Sequence, residues 1–282
     1  MHSGRDILQA IDDGLEAEYA LRKRHPERDE IYRDHQQRSA ALREAGDCRL
    51  DIRYGGGPRC LLDIFSAGDG APVFFFIHGG YWRALDKSYV SFIAEHYRNA
   101  GMTVVMPTYD LVPAVRVSEI VEQVRLSFAW TMAHLKPARM VVSGHSAGGQ
   151  LAAMLALDQA ERGQGRIAGL IGVSGAFDLR PLLKTSINRD LSLSSDEAGK
   201  VSPLVRLEHL PKGAKLVPLL GVVGGDETAG FKHWTADLVS GWRAHGAIAD
   251  YCEIAGSNHF TVLDRIAAAE GEVLRAAKAM LG

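Results

Sequence analysis

The pentapeptide Gly144-His145-Ser146-Ala147-Gly148 has residue types and spacing that point directly to nucleophilic chemistry. It follows the apolar run Met140–Ser143 and precedes a helical run over Gln150–Gln159, so a strand should turn sharply into a helix here. Glycines permit such a tight turn, and the helix N-terminus favours developing negative charge. Ser146 is therefore the predicted nucleophile.

A serine hydroxyl becomes a good nucleophile only when an imidazole accepts its proton and a carboxylate orients that imidazole. Asp226 lies in a Gly-Gly-Asp-Glu loop behind the apolar run Leu216–Val223, and His259 lies in a loop behind the last predicted strand. Loops that follow parallel strands meet at one edge of the sheet. The predicted catalytic residues are Ser146, Asp226 and His259, with Glu227 as a competing acid.

A second motif, His78-Gly79-Gly80-Tyr81-Trp82, comes directly after the apolar run Val73–Ile77. Paired glycines let backbone N–H groups approach a substrate carbonyl, where they could bind an oxyanion together with the amide of Ala147. The predicted oxyanion hole consists of Gly79, Gly80, Tyr81 and Ala147, with the last three as the amide donors.

Several side chains next to these loops are predicted to line the substrate pocket, namely Trp82, His145, Phe177 and Phe260. The alternative for each aromatic residue is a place in the core, and for His145 a packing role. The bulk of Tyr81 and Trp82 is expected to narrow the acyl side of the pocket, which would favour formyl or acetyl groups over longer chains.

The pattern H-G-G-x-W at residues 78–82 resembles that of the arylformamidases (kynurenine formamidases), relatives of the hormone-sensitive-lipase-like esterases. The similarity continues in matching order at residues 109–113, 144–149, 174–179 and 258–260. It implies an α/β-hydrolase fold and a serine hydrolase that cleaves a small acyl amide or ester. A general short-chain carboxylesterase is the alternative, and a non-catalytic binder on the same fold is a third hypothesis.

From residue 73 onward, short apolar runs alternate with longer amphipathic stretches, which is typical of a mostly parallel sheet with helices on both faces. Predicted strands cover residues 73–77, 103–106, 140–143, 168–173, 216–223 and 249–254, and residues 49–54 and 60–65 are predicted to form a hairpin. A helix is predicted from Ser118, as N-cap, to Leu135.

Residues 1–46 are predicted to form an N-terminal helical extension, with helical spacing that starts at Ile7 and Leu8. Residues 47–282 are predicted to form the catalytic domain. Whether the extension covers the pocket is left open by the sequence.

Composition restricts the substrates, cofactors and partners that the protein is expected to bind. The chain has 282 residues, 46% of them hydrophobic, and a net charge of −2, which favours a small-molecule acyl substrate over nucleic acid or an anionic membrane. Three widely spaced cysteines, no metal-binding pattern and no phosphate-binding glycine motif predict no cofactor and no metal. The expected location is cytoplasmic, and a homodimer is left open.

Overall fold

An eight-stranded sheet forms the centre of the protein, in a computed structural model that describes residues 10–46 and 48–282. The strands are β1 (Cys48–Arg53), β2 (Leu61–Phe65), β3 (Val73–Ile77), β4 (Thr103–Pro107), β5 (Met140–His145), β6 (Gly169–Val173), β7 (Leu219–Gly224) and β8 (Ala249–Ile254). Their order across the sheet is β1-β2-β4-β3-β5-β6-β7-β8. The β1–β2 and β2–β4 pairs are antiparallel and all other pairs are parallel, which confirms the predicted mostly parallel sheet.

Helices cover both faces of this sheet. They are α1 (Asp13–Tyr19), α2 (Arg28–Glu44), α3 (Ala94–Asn99), α4 (Val117–Leu135), α5 (Ala147–Glu161), α6 (Asn188–Leu191), α7 (Ser195–Lys200), α8 (Pro203–Glu208), α9 (Ala229–Ala244), α10 (Val262–Ile266) and α11 (Glu272–Leu281). Successive strand residues point to opposite faces. Phe75 and Ile77 therefore join the core formed with α4, α5 and α9, whereas Phe74 and Phe76 join the core formed with α3, α10 and α11.

The central strands β3, β4, β5 and β6 are buried along their whole length. Continuous apolar runs such as Val73–Ile77 are what a parallel sheet covered on both faces requires, because neither face meets water. This pattern explains why the sequence predicts the inner strands to within two residues.

The start of β7 and the N-cap of α4 differ from the predicted positions. Strand β7 begins at Leu219 rather than Leu216, because its register with β8 starts with the pair Leu219 and Ala249. Helix α4 begins at Val117 with Arg116 as its N-cap, so Ser118 is not the cap. The Ser118 hydroxyl donates instead to Glu197 Oε1, 2.9 Å away.

The N-terminal segment packs against the rest of the chain through α1 and α2. The predicted helical positions Ile7 and Leu8 lie outside the described residues. Helix α1 begins at Asp13, where the side chain of Asp12 accepts from the amides of Gly14 and Leu15. No helix within the described ranges is both long and apolar enough to cross a membrane. The division into an extension and a catalytic domain stays a prediction.

Candidate active site

Ser146 occupies the tight turn between β5 and α5. Its φ angle is 56°, in the left-handed region, and its amide donates to Val173 O at 2.9 Å. A Cβ on Gly144 would lie 2.1 Å from Gly148 O, and a Cβ on Gly148 would lie 2.0 Å from Ile77 O. Only glycine fits at these two positions, which explains why the turn has this sequence.

Three side chains from different loops form a continuous hydrogen-bonded chain. Ser146 Oγ lies 3.0 Å from His259 Nε2, and His259 Nδ1 lies 2.7 Å from Glu227 Oε2. Because a carboxylate only accepts, Nδ1 carries a proton, and the neutral ring has its Nε2 lone pair directed to the serine hydroxyl. Ser146 is 3% exposed and His259 is 4% exposed, so the chain is largely shielded from water.

The acid in this chain is Glu227, and not Asp226. Asp226 is exposed, and its amide donates to Ser257 O at 2.9 Å, which ties the two loops together. The structure therefore contradicts the predicted contact between Asp226 and His259. Strand β7 ends at Gly224, and the turn that follows directs Asp226 to solvent and the next side chain inward.

Both oxygens of the Glu227 carboxylate have partners. Oε1 accepts from the hydroxyl of Ser174 and, at 2.9 Å, from the amide of Gly224, while Oε2 faces His259. Sequence reasoning missed the role of Ser174. Its position directly behind β6, at the same sheet edge as the other loops, is the signal that could have indicated it.

His145 contacts the main chain of His259. Its Nε2 lies 2.8 Å from His259 O, and the two ring centroids are 4.7 Å apart. Burial, reinforced by the nearby His259, holds the pKa of His145 well below its ordinary value. The ring is therefore neutral, and its Nε2–H donates to the carbonyl. This contact favours the packing alternative for His145 over its assignment as a substrate-binding residue.

His78 holds the backbone of the glycine pair. Its Nδ1 donates to Gly79 O at 2.7 Å, its Nε2 lies 3.1 Å from Thr108 Oγ1, and its ring stacks on Tyr109. Burial lowers the pKa of His78 to about 4. The carbonyl and amide of a trans peptide point in opposite directions, so the bond to Gly79 O also orients the N–H of Gly80.

The glycine pair approaches Ser146 closely. A Cβ on Gly79 would lie 3.0 Å from the Cβ of Ser146, and the next three residues have φ angles of 117° at Gly80, 49° at Tyr81 and 56° at Trp82. Among the described residues, the amides of Gly80, Tyr81 and Ala147 donate to no protein acceptor. Three N–H groups around the serine therefore remain available to a ligand.

Two of the residues predicted to line the pocket lie in the core. Trp82 is fully buried, and its Nε1 donates to Gln150 Oε1 at 3.0 Å. Phe177 is also fully buried, and a Cβ on Gly175 would lie 2.3 Å from its ring. The structure thus favours the core alternative for both.

Phe260 and Tyr81 contact the N-terminal segment. The Phe260 ring lies edge-on to His259, 5.5 Å between centroids, and contacts the rings of His25 and Tyr32 at 5.4 and 5.5 Å. The Tyr81 hydroxyl donates to Tyr19 O at 2.6 Å. Residues of α1, α2 and the loop between them therefore lie directly against the loops that contain Tyr81 and Phe260.

One group of side chains has a metal-like arrangement away from the serine. Ligand-type atoms of Asp34, His35 and Asp264 all lie within 4.8 Å of one another. The Arg38 guanidinium bonds both carboxylates, at 2.8 Å to Asp34 Oδ2 and at a shorter distance to Asp264. Since Arg38 pairs with both acids and His35 Nε2 also lies 3.2 Å from Asp264 Oδ1, the arrangement is that of an ion-pair network.

Residues 74–262 match a protein family whose members have the α/β-hydrolase fold. The chain belongs to the α/β-hydrolase family. This α/β-hydrolase is 26% identical over 268 residues to a kynurenine formamidase of Danio rerio, covering 90% of this chain and 91% of that protein. It is 27% identical to a kynurenine formamidase of Salmo salar, covering 77% and 76% of the two chains.

Solved structures give the same fold. A protein from Silicibacter sp. TM1040, provisionally described as a thioesterase, is 31% identical with a TM-score of 0.83, covering 94% of this chain and 98% of that one. A thermophilic carboxylesterase cloned from a metagenomic library is 19% identical with a TM-score of 0.71, covering 90% and 96%, and shows the fold alone. The family match and the similarity to the formamidases support a hydrolase enzyme.

Proposed function

We propose that this α/β-hydrolase cleaves a small acyl amide or ester through a covalent acyl-enzyme on Ser146. The hydrogen-bonded chain of Ser146, His259 and Glu227, at 3.0 and 2.7 Å, is the observation that carries this proposal. In it, His259 removes the serine proton as Oγ attacks the carbonyl carbon, and Glu227 stabilises the imidazolium that forms.

The remaining steps follow from the same groups. The tetrahedral oxyanion accepts hydrogen bonds from the amides of Gly80, Tyr81 and Ala147, and Gly79 leaves room for its approach. The bond to the leaving group then breaks, and His259 Nε2–H protonates the departing nitrogen or oxygen. Water attacks the acyl-serine with the same histidine as base, which releases a carboxylic acid and restores Ser146.

Arylformamides are the substrate class we favour within this chemistry. The similarity to the two fish kynurenine formamidases, one of them over nine-tenths of the chain, supports this choice. An aniline nitrogen is much less basic than an alkylamine, so a site of the esterase type can expel it. The Phe260 ring, which lies edge-on to His259, is compatible with an aryl leaving group.

A short-chain esterase or thioesterase is the second candidate. It is favoured by the 31% identity to the provisional thioesterase, which is higher than the identity to the formamidases. All of these activities share one acyl-enzyme, so the leaving group is what distinguishes them.

The test compares kcat/KM for one acyl group on three leaving groups, as an N-formyl aniline, an aryl ester and an aryl thioester. Highest kcat/KM with the anilide supports the arylformamidase, and highest kcat/KM with either ester supports the second candidate. Each measurement is repeated with Ser146→Ala. If the wild type turns over none of them and a fluorophosphonate does not label Ser146, the chain is a non-catalytic binder and the proposal fails.

A further inference from the structure

The side chain of Tyr81 joins the loop of the proposed oxyanion hole to the N-terminal segment. Its hydroxyl donates to the main-chain carbonyl of Tyr19, the last residue of α1, at 2.6 Å. We propose that Tyr81 is a positioning residue, through which docking of α1 sets the oxyanion loop in its catalytic geometry. This inference rests on the proposed function.

The backbone of Tyr81 needs such support. Its φ of 49° is in the left-handed region, which is unfavourable for a residue with a bulky side chain. Strained backbone persists only where surrounding contacts hold it in place. The next residue, Trp82, is anchored in the core by its bond to Gln150, so the Tyr19 contact holds the other side of the strained turn.

Tyr19 is itself held firmly against α9. Its ring stacks on Trp234 with centroids 4.2 Å apart, and a Cβ on Gly230 would lie 2.7 Å from the Tyr19 ring. The neighbouring Glu18 accepts from the amide of Gly230 at 2.5 Å. The carbonyl that receives the Tyr81 hydroxyl is therefore at a fixed position.

The same helix also contacts the general base. The ring of Phe231, on α9, lies 4.5 Å from the His259 ring and 5.9 Å from the Tyr19 ring. Phe231 thus lies between His259 and Tyr19, and Tyr19 in turn accepts from Tyr81 of the oxyanion loop. Completion of a catalytic site by closure of a surface segment is a general way to exclude water and align groups together.

Tyr81→Phe is the decisive variant, because it removes only the hydroxyl. Tyr19 O keeps a bond from the amide of Leu21, so no buried carbonyl is left without a partner and the fold should survive. Loss of an entire oxyanion donor costs about 10²–10³ in kcat, so a misplaced donor is expected to lower kcat about ten-fold, with KM nearly unchanged.

Ser186→Ala is the matched control. It removes a hydroxyl that donates to Glu16 Oε1 at 2.6 Å, a contact of the same helix α1 that involves neither Tyr19 nor Tyr81. The amide of Ser186 still donates to Glu16. Its kcat is expected to stay within about two-fold of wild type, since exposed or half-buried hydrogen bonds of this kind contribute little.

A trifluoromethyl ketone analogue of the best substrate gives an independent readout, because it forms a tetrahedral oxyanion on the serine. Its Ki should rise about ten-fold in Tyr81→Phe, in parallel with the loss in kcat. Tyr19→Leu, which keeps the carbonyl but removes the ring stack on Trp234, should lower kcat in the same direction. If Tyr81→Phe has a markedly lower Tm than the wild type, the kcat of Tyr19→Leu decides whether docking of α1 affects the rate.

Equal kcat values for Tyr81→Phe, Ser186→Ala and the wild type would overturn the inference while the proposed function stands. An effect on KM alone, with an unchanged Ki for the ketone, would also overturn it, because Tyr81 would then only help to bind substrate. Absence of wild-type turnover on every substrate, together with no fluorophosphonate label on Ser146, overturns the proposed function first and this inference with it.

Discussion

The Oε2 atom of Glu227 lies 2.7 Å from Nδ1 of His259, and the other oxygen of the same carboxylate accepts from Ser174 and from the amide of Gly224. The carboxylate is thus held from two sides, and its remaining oxygen is presented to the imidazole. An acid held in this way can fix the tautomer of the histidine and stabilise its charged form without reorganising during the reaction.

Exchange of this acid for its amide should have a large effect. Glu227→Gln is expected to lower kcat by about 10²–10⁴, because the amide cannot stabilise the imidazolium and favours the wrong tautomer. Asp226→Asn is the matched control, since that side chain is exposed, and should stay within a few-fold of wild type. Steady-state kinetics on the best substrate would show the reverse order if Asp226 were the acid.

Removal of the nucleophile should abolish turnover and leave the fold intact. Ser146→Ala is expected to lose the acyl-enzyme step, while its Tm should stay within a few degrees of wild type, because a small hydroxyl contributes little to packing. Mass spectrometry after treatment with a fluorophosphonate should find one label, on Ser146. Turnover of Ser146→Ala within a few-fold of wild type would exclude this residue as the nucleophile.

His145 should affect the rate through its bond to the His259 carbonyl. His145→Leu removes the donor at 2.8 Å and is expected to lower kcat about ten-fold or more with little change in KM, since small displacements of a catalytic base are costly. His145→Gln keeps an N–H donor and should restore most of the rate. If both variants changed KM and not kcat, His145 would instead contact substrate.

Chain-length preference should depend on Tyr81 and not on Trp82. The wild type is expected to prefer formyl or acetyl to hexanoyl on one leaving group, and Tyr81→Ala should raise the ratio of hexanoyl to acetyl in kcat/KM. Trp82→Ala should instead lower the free energy of unfolding by about 3–5 kcal/mol, because the ring is buried in the core. A wild type that prefers octanoyl to acetyl esters would contradict a narrow acyl pocket.

Stability should fall as the pH is lowered below neutrality, partly because of His78. Burial lowers the pKa of His78 to about 4 in the folded protein, against an ordinary value of 6.5. The unfolded chain therefore binds an extra proton between these pH values, and up to about 3 kcal/mol of the free energy of unfolding is lost as the pH falls through that window. The pKa of His145 is lowered too, which acts in the same direction.

Denaturant titrations of the wild type and His78→Gln at pH 7 and pH 4.5 would check this. The wild type should lose more stability than the variant over that interval, because the variant has no imidazole to protonate at this position. Equal losses in the two proteins would mean that His78 does not titrate in this range.

Much of the site was predictable because its determinants are local in the chain. The glycines around Ser146 are required by contacts within one strand–turn–helix unit, and the buried strands are continuous apolar runs whose limits can be seen in the sequence. The order of nucleophile, acid loop and histidine loop follows from parallel strands whose ends meet at one edge. From these features alone the sequence determined the fold class and predicted that Ser146 and His259 meet at one edge of the sheet, where they lie 3.0 Å apart.

The tertiary structure decided in which direction individual side chains point. Asp226 and Glu227 are neighbours, and the hydrogen bond from Asp226 N to Ser257 O, across the β7 and β8 loops, orients the turn so that the second acid faces the histidine. Trp82 and Phe177 follow strands as predicted, yet both rings enter the core. A shift of one residue along a turn reverses where a side chain points, and contacts between loops far apart in the chain, such as that of Asp226 N with Ser257 O, determine the position of the turn.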